Sequence, residues 1–136
     1  MDSITRQVDL DLDAAQLWEA ISDPEQLAAW LGDDVDVAMQ PGEVGTITDD
    51  GIVRAVRVDE VIADRHVSFT WWDPTEPANR SQVVFEITAT PSGSRLTIIE
   101  TLPAPSVASA SAQAQARWEV RVLSLWACTV AAALVP

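Results

Sequence analysis

Glu100 is the residue of this sequence whose position points most directly to chemistry. It shares the parity of Leu96 and Ile98 in an alternating segment, so its carboxylate is expected to face the interior of a sheet. Burying a carboxylate is costly unless the group is paired or solvated. Arg6 and Arg54 have inward parity on their own predicted strands and are the candidate partners. Glu100 is therefore expected either to line a cavity, where it could orient a ligand or act as a base, or to form a simple ion pair or lie at an exposed strand end.

The six tryptophans are the most conspicuous feature of the composition. Each indole supplies a large apolar surface and an N–H group that needs a partner when it is buried. Core packing accounts for any one of them, and a cavity lined by aromatic rings is the functional alternative. Trp18 is expected in the core, and Trp72 on the outer side of its strand or at an interface. The best lining candidates lie on faces predicted to look inward: Trp30, Trp71, Trp118 and Trp126.

Other reactive side chains do not form a recognisable site. His66 is the only histidine and lies beside a predicted turn, where a solvent-exposed ring is expected. The aspartates of residues 33–36 and 49–50 lack the spacing of a calcium loop. The sequence contains no zinc motif, phosphate-binding glycine loop or nucleophile elbow. The sequence therefore predicts neither a metal site nor a cofactor.

Hydrophobic spacing predicts the elements that would position these side chains. Residues 4–12 alternate and predict a strand with one buried face. Two short helices are expected next, because Asp13 precedes Gln16 by three residues and Asp23 is followed by Pro24, both typical of helix starts. Further strands joined by short turns are predicted at residues 44–47, 52–62, 66–72, 82–90 and 95–102.

A long C-terminal helix at residues 112–134, after a linker at 103–111, is the expected cover of the sheet. Consecutive strands with short turns indicate an antiparallel sheet that buries one face. The inward stripe of the helix is predicted to contain Trp118, Val122, Leu125, Trp126, Thr129 and Ala133. The opposite side is predicted to contain Arg117, Arg121, Ser124 and Cys128.

Length, charge and cysteine content limit the classes of protein to which this chain can belong. The 136 residues fit one domain, taken as residues 1–136. The formal net charge of −13, with eight arginines and no lysine, disfavours binding to nucleic acid. A lone cysteine cannot form an internal disulfide, and neither a signal peptide nor a membrane span is indicated. A soluble cytoplasmic protein is expected, and the arginine-only basic set and many alanines suggest a GC-rich bacterial genome.

Four segments carry a resemblance to a known family. Residues 17–30, LWEAISDPEQLAAW, resemble the first-to-second-helix signature of the START-like (SRPBCC) superfamily, closest to the branch of the activator of the heat-shock ATPase (AHSA). Residues 60–71, 94–101 and 117–125 resemble its aromatic-rich hairpin, its last strand and its C-terminal helix. The resemblance covers about residues 3–135. The loop before the last helix departs from the family, because it is rich in alanine and serine, and the rim of the cavity is expected to differ.

The resemblance implies an α+β helix-grip fold with an interior cavity. A curved antiparallel sheet of about six strands would wrap around the long C-terminal helix, with two short helices after the first strand. The side chains expected to contact a ligand there are Trp30, Val56, Val58, Phe69, Trp71, Phe85, Glu100, Trp118, Val122 and Trp126.

Binding or transport of a small hydrophobic molecule, lipid-like or aromatic, is the expected function, because the predicted cavity is largely apolar. A polyketide cyclase or aromatase-like enzyme that uses Glu100 is one alternative, although catalysis is not the favoured interpretation. A stress-response module that contacts a chaperone ATPase is the other, and such a partner is not expected but stays open. A homodimer is also left open, and the superfamily hosts too many functions for the fold to decide among them.

Overall fold

An antiparallel sheet and one long helix make up most of the chain. The computed structural model describes residues 3–103 and 108–134, with side chains described for 3–103 and 112–129. The described elements are β1 (Ser3–Leu10), α1 (Ala14–Ser22), α2 (Pro24–Leu27), β2 (Asp34–Asp36), β3 (Val44–Asp49), β4 (Ile52–Ile62), β5 (His66–Trp72), β6 (Arg80–Thr90), β7 (Gly93–Thr101) and α3 (Ala108–Leu134).

The strands form one sheet in the order β1-β7-β6-β5-β4-β3-β2, with every neighbouring pair antiparallel. The strands from β2 to β7 form a meander. β1 lies at the other edge of the sheet and pairs with β7, from Ser3 opposite Thr101 to Leu10 opposite Ser94. The predicted α+β helix-grip fold is confirmed. The sheet has seven described strands instead of about six, because the short segment Asp34–Asp36 pairs with β3 at the edge.

A β-bulge in β4 changes which residues of that strand face inward. The register with β5 shifts between Val58 and Glu60. Val56 and Val58 are buried before the shift, and Val61 packs against the core after it. Because an extra residue in one strand bends it and increases its twist, the bulge helps the sheet to curve.

Both short helices begin at the predicted residues. The side chain of Asp13 accepts a hydrogen bond from the Gln16 backbone N–H (2.8 Å), and Gln16 Oε1 accepts one from the Asp13 backbone N–H (2.9 Å). This reciprocal pair satisfies two N–H groups that helix geometry leaves open. Asp23 caps α2 by accepting from Glu25 N–H (3.0 Å), with Pro24 in the first turn.

Aromatic rings fill the middle of the sheet's inner face. Phe85 is the centre of the group, with ring centroids 5.5 Å from those of Trp30 and Phe69 and 6.1 Å from that of Trp118. Trp71 stacks on Trp118 at 6.0 Å. All five side chains are buried. The space between the sheet and α3 is therefore closely packed at this level.

The rotational position of α3 differs from the predicted one. Trp118 and Leu125 are buried as expected, but Arg121 is only 4% exposed and Trp126 is 50% exposed. The predictions that Trp126 faces inward and Arg121 outward are both wrong, because the buried stripe follows residues 118, 121 and 125 at a helical spacing of three and four. α3 also begins at Ala108, within the predicted linker, of which residues 104–107 lie outside the described ones.

Three further side chains can be compared with their predictions. Trp18 is partly buried and packs against the core, as expected. Trp72 lies on the outer side under the Arg80 guanidinium, which is 4.0 Å from its ring centroid. His66 was expected to be exposed, but its side chain is only 18% exposed, because Glu86 lies opposite it on β6 and Glu60 lies 3.2 Å from Nε2. No helix of the described residues combines the length and apolarity needed to cross a membrane.

Gly93 provides a test of how closely β1 and β7 pack. A Cβ atom at this position would overlap the carbonyl oxygen of Leu10. We expect Gly93→Ala to lower the free energy of unfolding by about 1–3 kcal/mol, because one strand end must move to relieve the overlap. Urea denaturation measures the change, with the exposed neighbour Ser92→Ala as the control expected to stay within about 0.5 kcal/mol of the wild type. Equal stability of the two variants would contradict the packing described.

Candidate functional site

The carboxylate of Glu100 joins the sheet to α3. Glu100 lies on β7 and is only 5% exposed. Its Oε2 accepts a hydrogen bond from Trp71 Nε1 on β5 (2.8 Å), and its Oε1 accepts one from Trp118 Nε1 on α3 (2.9 Å). Each carboxylate oxygen is therefore bound to one indole N–H. This arrangement satisfies three polar groups in an apolar interior at once.

The candidate partners of Glu100 were Arg6 and Arg54, and neither forms an ion pair with it. Arg6 Nε lies 3.3 Å from Glu119 Oε2, which ties β1 to α3. The charge of Glu100 raises the pKa of Arg54 through space, but the direct partners of Glu100 are the two indoles. The sequence located the buried carboxylate correctly but assigned it the wrong kind of donor.

Two arginines rest on the indole rings that Glu100 holds. The Arg54 guanidinium carbon, from β4, lies 4.5 Å from the centroid of Trp71. The Arg121 guanidinium carbon, from α3, lies 4.6 Å from that of Trp118 and 5.2 Å from that of Trp71. A guanidinium at this distance from an aromatic face is attracted by the ring quadrupole, so the rings act as a platform for two positive charges.

Asp49, the last residue of β3, connects this platform to a third arginine. Its Oδ2 lies 3.0 Å from Arg121 Nη2 and 3.4 Å from Arg117 Nη1. One carboxylate oxygen thus serves two guanidinium groups one helical turn apart on α3. These contacts hold the central part of α3 over the turn between β3 and β4.

Burial disfavours the charged form of both Arg54 and Arg121. The pKa of Arg54 is lowered mainly by burial, which Glu100 opposes and Arg117 reinforces. The pKa of Arg121 is also lowered mainly by burial, against the hydrogen bond to Asp49, and the nearby charge of Arg54 lowers it further. Because a guanidinium stays protonated in proteins, the effect is a concentration of poorly solvated positive charge.

Two hollows share Arg117 and Arg121 in their linings. The smaller, of about 190 Å³, is polar and is lined by Arg54, Trp71, Trp72, Asp73, Asn79, Ser81, Glu100, Leu102, Gln113, Ala114, Arg117 and Arg121. The larger, which we call the flank cleft, has about 500 Å³ and is lined by Ala28, Ala29, Trp30, Gly32, Asp33, Asp49, Asp50, Ala116, Arg117, Val120, Arg121 and Ser124. A third hollow, of about 270 Å³, lies near Cys128 and shares Ala29 and Trp30 with the flank cleft.

The expected ligand-contact residues divide into three groups. Trp30 lines the flank cleft, while Trp71 and Glu100 line the polar hollow. Val122 is half-buried, and Trp126 is half-exposed on α3. The remaining five are fully buried in the packed inner face of the sheet: Val56, Val58, Phe69, Phe85 and Trp118.

Arg121, Arg117 and Asp49 belong to the site, but the sequence did not single them out. The predicted inward stripe of α3 leaves out Arg121, although this residue lies three residues after Trp118 and four before Leu125, at the spacing of the buried stripe. Asp49 stood out in the sequence only as one of the acidic turn residues that lack the spacing of a calcium loop. Among the described residues, no three His, Cys, Asp or Glu side chains are grouped so that they could hold a metal ion.

The two hydrogen bonds to Glu100 can be tested by Glu100→Gln. The substituted amide keeps one acceptor oxygen, but its nitrogen then faces an indole N–H, which leaves two buried donors unpaired. We expect the free energy of unfolding to fall by about 1–3 kcal/mol. Chemical denaturation at neutral pH measures it.

Glu119→Gln is the control, because it removes the same charge from a side chain that is 65% exposed. We expect it to lower the free energy of unfolding by less than about 1 kcal/mol. Equal losses for the two variants would contradict the bridging role of Glu100.

Comparison with known proteins agrees with the resemblance found in the sequence. The family model described as "Activator of Hsp90 ATPase homolog 1-like protein" matches residues 11–126. No curated protein matches this chain.

Solved structures share the fold over nearly the whole chain. Protein MLL2253 from Mesorhizobium loti is 26% identical, with a TM-score of 0.82, over 91% of this chain and 93% of that one. DynU16, from the dynemicin biosynthetic locus, is 25% identical with a TM-score of 0.78, over 92% of this chain and 46% of that one. The Aha1 dimer from Colwellia psychrerythraea is 14% identical, with a TM-score of 0.81 over 95% of this chain and 96% of that one, and shows the fold alone. With its matching helix-grip architecture, this chain belongs to the family of activator of Hsp90 ATPase homolog 1-like proteins.

Proposed function

We propose that this protein binds a small hydrophobic molecule, lipid-like or aromatic, in the flank cleft between α3 and the segment 28–33. The observation that carries the proposal is the cleft itself, whose volume of about 500 Å³ is within the usual range for small-molecule sites. Small side chains line much of it, so that Ala28, Ala29 and Ala116 leave room for a ligand beside the Trp30 ring.

The walls of the cleft are fixed before any ligand arrives. Trp30 Nε1 donates to the backbone oxygen of Ala20 (2.9 Å), and its ring packs on Phe85. The opposite wall, α3, is held by Trp118 on Glu100 and by Arg121 on Asp49. A preformed surface binds a ligand without the ordering cost of a flexible one, which supports a binding site.

The proposed site lies beside the expected cavity instead of beneath the helix. The sequence suggested a hollow between the sheet and α3, but the rings of Phe69, Phe85 and Trp118 occupy that space. The ligand would therefore contact Trp30 and Val120 at the flank, and only the polar hollow would bring it close to Trp71 and Glu100.

Binding is better supported than catalysis by Glu100. Both oxygens of this carboxylate already accept an indole N–H group, at 2.8 and 2.9 Å, and the side chain is only 5% exposed, so little of it is open to a substrate. A general base needs an oxygen within reach of the proton that it removes. This geometry favours a role for Glu100 in positioning the indole rings of Trp71 and Trp118.

Filling the cleft tests the proposal. The uncharged dye N-phenyl-1-naphthylamine should bind the wild type saturably with one site per chain, measured by its fluorescence. Ala116→Phe places a ring in the cleft from an exposed helix position and should weaken binding at least about tenfold.

Ala127→Phe is the matched control, because it makes the same change at an exposed position of the same helix outside the cleft lining. It should leave the affinity unchanged. Non-saturable dye fluorescence, or equal binding by both variants, would overturn the proposal.

We further propose that a second copy of this chain covers the outer side of α3. Leu123 and Trp126 are 61% and 50% exposed there. Exposed apolar side chains grouped on one face are typical of contact surfaces, and the Colwellia relative is itself a dimer. A chaperone ATPase, which the family description suggests, is the competing partner.

Light scattering after gel filtration should give twice the chain mass for the wild type and the chain mass for Leu123→Glu. Val44→Glu, at a position on β3 that is 65% exposed, should remain dimeric. A monomeric wild type that retains a chaperone ATPase in a pull-down would favour the competing partner and contradict the dimer.

A further inference from the structure

The charged side chains that line the flank cleft differ in how much of them a ligand can reach. Asp33 and Asp50 are exposed, and Asp49 is half-buried. Arg117 and Arg121 are the cationic side chains of the same lining. The charge of ligand that the cleft favours therefore depends on which of these groups are already paired.

The two arginines of the lining are engaged by Asp49 before a ligand arrives. Asp49 Oδ2 lies 3.0 Å from Arg121 Nη2 and 3.4 Å from Arg117 Nη1. Arg121 is also only 4% exposed, so it offers almost no surface to a molecule in the cleft. The side chain of Arg117 is 32% exposed and is the more accessible of the two. The positive charge of the cleft is thus largely compensated within the protein.

The carboxylates of Asp33 and Asp50 are more open. Asp33 Oδ2 accepts the backbone N–H of Asp50 at 2.9 Å, and its Oδ1 accepts no hydrogen bond from the described residues. The same bond holds Asp33 beside the turn between β3 and β4, which contains Asp50. Within the described part of the chain, no cation pairs with either carboxylate. Negative charge is therefore what the cleft presents to a ligand at this turn.

Apolar surface lies in the same lining as these carboxylates. Ala28, Ala29 and Ala116 leave space, and Val120 is 65% exposed. The cleft itself, of about 500 Å³, is the observation that points to a ligand. The carboxylates then indicate the chemistry of the ligand's polar end.

We infer that the flank cleft binds a hydrophobic amine, with its ammonium group next to Asp33 and Asp50 and its apolar body against Val120 and the alanines. This inference rests on the proposed function. An ammonium group donates charge-assisted hydrogen bonds to carboxylate oxygens. An anionic ligand would instead bring a like charge close to two aspartates, which is unfavourable.

The net charge of −13 acts in the same direction, because it attracts cations to the protein as a whole. This general attraction is largely screened beyond about 8 Å at physiological ionic strength. The local effect of Asp33 and Asp50 is therefore measured against the removal of an equal charge outside the cleft.

A matched pair of ligands tests the inference. Isothermal titration calorimetry at neutral pH compares 1-naphthylmethylamine, which carries an ammonium group, with 1-naphthalenemethanol, which has a hydroxyl group in the same place. The wild type should bind the amine at least about fivefold more tightly, because each exposed carboxylate adds a modest attraction.

Asp33→Asn combined with Asp50→Asn should bring the ratio of the two affinities to about one. The amide oxygen at position 33 can still accept the N–H of residue 50, and asparagine tolerates the φ of 52° at position 50. Asp34→Asn is the control, because it removes the same charge from an exposed neighbour outside the cleft lining. It should keep the preference for the amine.

The outcomes separate the two proposals. Saturable binding of both compounds with equal affinity overturns the amine inference and leaves the proposed function standing. A preference that the double variant retains, or that Asp34→Asn reduces equally, also overturns it, because the attraction then comes from the overall charge. If neither compound binds, the proposed function fails and the amine inference fails with it.

Discussion

The pair of hydrogen bonds from Trp71 and Trp118 to Glu100 is the constraint on which the site depends. A carboxylate in an apolar interior is tolerated only when donors replace its water, and here the donors belong to the sheet and to α3. The same bonds fix the two indole rings that carry Arg54 and Arg121. The polar interaction thus sets both the position of the helix and the place where positive charge collects.

The packing of the interior explains why the open space lies at the flank of the helix. Rings of Phe69, Phe85 and Trp118 meet edge to face and leave the sheet's inner face filled. Beyond them, α3 faces the segment 28–33 with alanines on both sides, and these side chains are too short to close the gap. Large residues near the sheet and small ones at its edge therefore place a solid core next to a cleft.

Most of the fold could be predicted from the sequence, because a period of two reports directly which face of a strand is buried. This alternation predicted the bounds of β4 and β5. Residue spacing at the helix starts predicted both capping aspartates. The site was less predictable. Hydrophobicity alone puts a charged residue outside, so Arg121 was assigned to the wrong side of α3. Its contact with Asp49 spans 72 positions and depends on how the helix docks, which no local pattern encodes.

The charged groups between the sheet and α3 differ in how completely their hydrogen bonds are formed. Glu100 has a donor on each oxygen, whereas Arg54 and Arg121 each keep a buried nitrogen without an acceptor among the described residues. A catalytic carboxylate needs freedom to exchange a proton, and this one is held on both sides. The unpaired nitrogens have almost no accessible surface, so the rings of Trp71 and Trp118 and the contact with Asp49 are what hold the two arginines in place. The contact between the sheet and α3 thus combines a carboxylate that has a donor on each oxygen with two guanidinium groups that are incompletely paired.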